Sequence, residues 1–219
     1  MGRRHKENQD RVLARTIEWE PSPVYLIAVA DGISGCSYGG SVARFLIEKR
    51  LQQDTIFDPC GGTLSEQFEQ YLSTVAKSFR EEFADMEDML ASGATLSAAV
   101  MMGDCADCFC VGDSPIYISR QQSNPGFATT RISRPDHDGK DLTDHFGGSA
   151  PFKVKHLNLT LNPGDVITIT SDGAIHDADI LSRSYASIGL NQTFLGEVRD
   201  LALRSRFPDD ISIAACQLL

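Results

Sequence analysis

Five short acidic segments recur along the chain: Asn8-Gln9-Asp10, Asp31-Gly32, Gly112-Asp113-Ser114, Ser171-Asp172-Gly173 and Asp209-Asp210-Ile211. Most stand at the end of an apolar run or beside one. Carboxylates gathered at strand ends are costly to bury unless divalent cations neutralise them. Ligand sets made only of oxygen select hard ions such as Mg²⁺ or Mn²⁺. The chemistry that such a set supports is metal-dependent hydrolysis.

Positioning these side chains requires elements that end where they stand. Val24-Tyr-Leu-Ile-Ala-Val-Ala30 is a short apolar run between Pro21/Pro23 and Asp31-Gly32, the pattern of a strand buried on both faces. After the glycine-rich Gly32–Gly40 loop, Ser41 can cap a helix carrying Val42, Phe45, Leu46 and Leu51. Thr63-Leu-Ser-Glu66 has the form of a capping box, and apolar residues from Leu64 to Met86 follow in steps of three and four. From Gly93 onward the composition favours strands, at roughly 95–102, 105–111, 115–120, 126–132, 153–160 and 165–171, with Pro163-Gly164 as a tight turn. A helix near 192–204 and a last strand over 211–218 follow. Helices grouped between strands, rather than alternating with them, predict an α+β fold: a four-layer α-β-β-α sandwich of two antiparallel sheets flanked by helices.

The length of 219 residues predicts one domain spanning 1–219, and 42% hydrophobic residues can supply its core. A formal charge of −10 repels nucleic-acid phosphates and anionic membranes while concentrating cations. No apolar stretch follows Met1 in the manner of a secretion signal, and no run reaches membrane-spanning length, so a cytoplasmic address is expected. Cys105-Ala-Asp-Cys108-Phe-Cys110 resembles half a zinc site, but neither Cys60 nor Cys216 brings a second pair. Cys108 and Cys110 are better read as small reduced hydrophobes on one strand face.

Taken in order, the acidic segments resemble those of the metal-dependent protein phosphatases, the type 2C serine/threonine phosphatases, especially their bacterial branch. Val29-Ala-Asp31-Gly32-Ile-Ser-Gly35 is similar to the family's Asp-Gly loop, whose Asp bridges two metals while the Gly carbonyl holds one. Gly93-Ala-Thr95 resembles the strand start after its helices, and Val111-Gly112-Asp113-Ser114 the strand end whose Asp joins a third, weaker metal site. Thr170-Ser171-Asp172-Gly173 and Asp209-Asp210-Ile211-Ser212 match the remaining metal-Asp segments. The resemblance thus implies two Mn²⁺ or Mg²⁺ ions and a third weaker one, held by Asp10, Asp31, Gly32, Asp113, Asp172 and Asp209. Asp31, Asp172 and Asp209 would organise a bridging water for attack on phosphorus, with no protein nucleophile.

Three departures bear on the chemistry. The family's phosphate-clamping arginine falls at His5, with Arg3 and Arg4 just upstream. Arg4 is the favoured clamp after a one-residue shift, the other reading being a solvated basic end. Ile33 stands where animal and plant members carry a histidine, so no side chain there can protonate the leaving group. His137, His145, His156 and His176 are assigned to loops or the surface. The flap segment is reduced to a remnant at about 135–148, in which Asp136, Asp138, Asp141 and Asp144 either complete the third metal site or form a solvated turn. Pro115 also replaces the arginine often found after Gly-Asp-Ser.

The implied function is hydrolysis of phosphoserine and phosphothreonine in proteins, reversing a cognate serine/threonine kinase, by a monomer with no nucleic-acid or membrane partner. The rival is a non-catalytic pseudophosphatase that binds a phosphoprotein as sensor or scaffold.

Overall fold

Period-two alternation and short apolar runs become two antiparallel sheets packed face to face. The computed structural model describes residues 7–54, 56–58, 60–122, 126–138, 141–148, 151–174, 178–190, 192–202 and 209–219. The chain begins with β1 (Arg11–Ile17) and β2 (Val24–Ala30), then α1 (Gly39–Arg44), which runs into a π-helical stretch, Phe45–Leu51. Next come α2 (Leu64–Glu82), a single turn α3 (Glu87–Leu90), β3 (Gly93–Ala94), β4 (Leu96–Met102), β5 (Cys105–Val111), β6 (Ile116–Gln121) and β7 (Phe127–Arg131). The flap remnant holds three two-residue strands, β8 (His137–Asp138), β9 (Asp141–Leu142) and β10 (Phe146–Gly147). β11 (Lys155–Thr160), β12 (Val166–Thr170), α4 (Ala178–Ile188), α5 (Gln192–Ala202) and β13 (Ile213–Gln217) complete the order.

One sheet runs β1-β2-β4-β5-β11 and the other β13-β12-β6-β7. β2 shows why its sequence is almost wholly apolar: Leu26, Ala28 and Ala30 face the helical layer, whereas Ile27 and Val29 face the second sheet. Three apolar interfaces result, and they define four layers. Phe45, Phe68 and Phe79 pack α1, the π-helical stretch and α2 on the first sheet. Ile27, Val29, Cys108, Cys110, Ile116 and Ile167 fill the space between sheets. Leu181, Tyr185, Phe194 and Val198 seat α4 and α5 on the second sheet against Tyr117 and Val166. The α-β-β-α expectation is met.

The wider turn of the π-helical stretch turns consecutive Phe45, Leu46 and Ile47 all into the core. α2 starts as its sequence dictates: the Thr63 hydroxyl accepts from the Glu66 amide (3.3 Å) and the Glu66 carboxylate accepts from the Thr63 amide (2.9 Å). Thr63→Ala should cost about 1 kcal/mol in a denaturant melt without altering the folded state; an unchanged midpoint would contradict the cap. α2 ends at Glu82, short of the Met86 limit expected from periodicity, because Phe83 leaves helical geometry and a separate turn follows.

Apart from the short turn α3 and the two-residue flap strands, two elements were not expected. β1 is an edge strand in which only Leu13 is buried and arginines occupy positions 11 and 15, so its alternation carries little apolar signal. α4 hides its buried face in Leu181, Ser184 and Tyr185, where serine takes an apolar position. Cys108 and Cys110 are buried free thiols, and burial pushes the Cys108 thiol up to about 12, which keeps it protonated. Among the described residues no helix is long and apolar enough to cross a membrane.

Candidate active site

Strand register alone brings the acidic segments together. Arg11 pairs with Ala30, so Asp10 before β1 and Asp31 after β2 share one end of the sandwich. Val29 pairs with Ser97, and Leu96 with Val111, which adds Thr95 and Gly112-Asp113 at that end. In the second sheet Thr170 pairs with Ile213 and Ile169 with Ile116, placing Ser171-Asp172 and the segment before β13 there too. Asp31, Asp113, Asp172 and Asp209 line one cavity of about 150 Å³, with Gly32 and the flap residue Leu142.

Asp10 lies beside Asp31, behind the lining residues. It is only 4% exposed, and neither carboxylate oxygen has a hydrogen bond of full geometry, although Asp31, Ser171 and Ser212 surround them. Burial raises the Asp10 carboxyl above its usual range, the neighbouring side chains counter this in part, and the Asp210 charge adds to it. Asp31 is raised well above that range, by burial first and then by the charges of Asp10, Asp172 and Asp113. Divalent ions relieve such repulsion.

The backbone around these residues is tightly fixed. The Thr95 amide donates to the Asp31 carbonyl (2.8 Å), the Asp31 amide donates to the Thr95 hydroxyl (3.2 Å), and the Ile33 amide donates to the Gly93 carbonyl (3.0 Å). A Cβ on Gly32 would lie 2.5 Å from the Gly39 carbonyl carbon, so only glycine lets the Asp31-Gly32 turn approach the loop so closely. Gly112 has φ +99°, which lets the chain reverse between β5 and Asp113. The Ser171 amide donates to the Ser212 carbonyl (3.0 Å) and the Ser212 amide to the Ser171 hydroxyl (2.9 Å), stapling the Asp172 turn to the Asp209 turn.

Asp210 is a neighbour of Asp10 that the motif order did not single out. It is buried, and one carboxylate oxygen accepts the Gln9 amide (2.9 Å), tying the segment before β13 to the one before β1. Asp136, in the flap, belongs to neither reading weighed for it. It is buried, paired with Lys155 and bonded to the Gly112 amide (3.0 Å), away from the carboxylate cavity. Asp144 accepts the Lys153 amide (3.3 Å). The side chains of Asp138 and Asp141 lie outside the described residues.

Arg3, Arg4 and His5 also lie outside them, as do His176 and the side chain of His137. Arg11 is the nearest described arginine in sequence, and it donates to the carbonyls of Asn8 (2.8 Å) and Asp10 (2.7 Å), bracing that turn. His145 packs on Gly93, and His156 stacks on Phe109 and pairs with Asp107 (2.7 Å) at the surface. Neither histidine lines the carboxylate cavity.

As placed, no three His, Cys, Asp or Glu side chains among the described residues are close enough to hold an ion. The donor chemistry fits hard cations all the same: every donor is oxygen, and the buried Asp10 oxygens lack hydrogen bonds of full geometry.

No curated protein sequence matches this chain. Solved structures do. The serine/threonine phosphatase PstP/Ppp of Mycobacterium tuberculosis superposes with TM-score 0.79 at 21% identity, over 99% of this chain and 94% of that one. The S. agalactiae serine/threonine phosphatase gives 0.78 at 22%, over 100% and 96%. The PstP catalytic domain in complex with two manganese ions gives 0.76 at 19%, over 98% and 94%. At such identities the likeness establishes the fold. A family model described as Protein phosphatase 2C matches residues 2–199, nearly the whole chain, and so the chain belongs to the protein phosphatase 2C family, the metal-dependent protein serine/threonine phosphatases.

Proposed function

We propose that this chain is a catalytically active phosphatase that hydrolyses phosphoserine and phosphothreonine in protein substrates, opposing a cognate kinase. The observation that carries the reading is the convergence of Asp10, Asp31, Asp113, Asp172 and Asp209 on one mouth of the sandwich, from five separate points of the chain. Two Mn²⁺ or Mg²⁺ ions, when bound, supply an activated water and neutralise charge on the phosphoryl group. Asp31, Asp172, Asp209 and the Gly32 carbonyl would hold them, with Asp10 behind and Asp113 serving a third ion. The stapled turns fix these donors before substrate arrives, so little reorganisation accompanies the reaction. Arg4 is assigned to the phosphate. With Ile33 beside the Asp31-Gly32 turn, no side chain at that position donates the proton to the departing oxygen. Six free thiols agree with a reducing, cytoplasmic setting, and a monomer suffices for the site.

The test is hydrolysis of p-nitrophenyl phosphate and of a phosphothreonine peptide by wild type and Asp172→Ala, with Mn²⁺, with Mg²⁺ and with chelator. Metal-dependent turnover that the variant lacks is expected. A folded, metal-loaded wild type that turns over neither compound would make the chain a phosphoprotein-binding pseudophosphatase.

A further inference from the structure

One buried carboxylate in the flap remnant joins three parts of the molecule. Asp136 is 6% exposed. Its side chain accepts the Gly112 amide (3.0 Å), its own amide donates to the Gly112 carbonyl (3.2 Å), and its carbonyl accepts the Thr143 amide (2.9 Å). The other carboxylate oxygen is paired with Lys155 on β11, whose ammonium also donates to the Arg134 carbonyl (3.3 Å). Gly112 precedes Asp113, and Thr143 follows Leu142; Asp113 and Leu142 both line the carboxylate cavity. Both backbone groups of Gly112 are therefore fixed from outside the cavity, while Arg131 holds the Asp113 carbonyl (2.9 Å).

We propose that Asp136 is the positioning residue of the Gly112–Asp113 turn, that Lys155 holds it there, and that the pair thereby sets the affinity of the weaker, third divalent-ion site at Asp113. This rests on the phosphatase reading. The pair is well suited to the task. Burying a polar side chain is costly without a partner, and Lys155 pairs with this one. Without Lys155 the carboxylate is no longer held against the Gly112 amide, and the turn loses its outer brace. Residues that orient a metal ligand without touching the metal alter its affinity about 10- to 100-fold when removed.

Calorimetric titration of Mn²⁺ into metal-free wild type, Asp136→Asn, Lys155→Met and the double variant tests this, with p-nitrophenyl phosphate turnover measured alongside. The weaker binding event should move to at least about 10-fold higher Mn²⁺ in each single variant, with the tighter events unchanged. The double variant should be no worse than either single one, because both break one link. If Asp136→Asn does not fold, Lys155→Met, altered at a partly exposed side chain, carries the test alone. A weaker event within about two-fold of wild type in a folded variant overturns the proposal. So does a wild type that hydrolyses the ester with only two binding events, and there the phosphatase reading stands. A wild type that binds Mn²⁺ in three events but never turns over overturns that reading, and the titration still decides the role of Asp136.

Discussion

Asp31→Asn should lower phosphoester hydrolysis by on the order of 10³-fold or more while making the metal-free protein harder to unfold. The two effects have one cause. Asp31 is buried beside Asp10, Asp172 and Asp113, and all of these push its carboxyl toward the neutral form. An amide of the same shape removes that repulsion and can donate to Asp10, whose oxygens have no hydrogen bond of full geometry. It also removes one of the charges that would hold the ions, and with it several kcal/mol of transition-state stabilisation. For a chain of this size each kcal/mol gained raises the melting temperature by about 2–4 °C. Thermal melts in chelator and turnover in Mn²⁺ read the two effects separately. Retained turnover in the folded variant would sink the mechanism; a lower melting temperature in chelator would show that the carboxylate is not strained.

The metal-free protein should also lose stability as pH rises through the range in which Asp10 and Asp31 ionise. Both carboxyls have raised values in the folded state. The folded chain therefore holds protons that the unfolded chain releases, and stability falls with increasing pH across the interval between the ordinary carboxylate range and the raised values. Below the ordinary range their contribution is fully present. Divalent ions reverse the trend, because binding requires the carboxylates ionised and so strengthens as pH rises. Melting temperatures from about pH 5 to about pH 8 should thus diverge, falling in chelator and holding or rising in Mn²⁺. Parallel curves would mean that the two carboxyls are not part of an ion site.

The layers were legible where burial writes a simple pattern. Val24–Ala30 faces apolar surroundings on both sides and reads as a core strand; the helix after Thr63 carries both its cap and its stripe. β1 and α4 escaped because an edge strand rich in arginine and a helix with serine on its buried face depart from apolar periodicity. The acidic turns were legible as a set because each follows or precedes a strand, and register then does the gathering. Asp210 and Asp136 were not, since their roles depend on contacts with Gln9 and Lys155 across long stretches of chain. A doubled Asp209-Asp210 was the only hint of the first, and Pro135-Asp136 gave none of the second.

The pairing of β12 with β13, and the bond from the Gln9 amide to Asp210, place one wall of the carboxylate cavity on a segment some two hundred residues from the Gln9-Asp10 turn that it is tied to. During synthesis the site therefore stays open until that segment has left the ribosome and docked. A nascent chain lacks the gathered carboxylates, and the cavity is complete only when the second sheet has closed. Ions held there would fasten these two distant segments to each other, so their removal should release the edge strands β1 and β13 before the interior of either sheet.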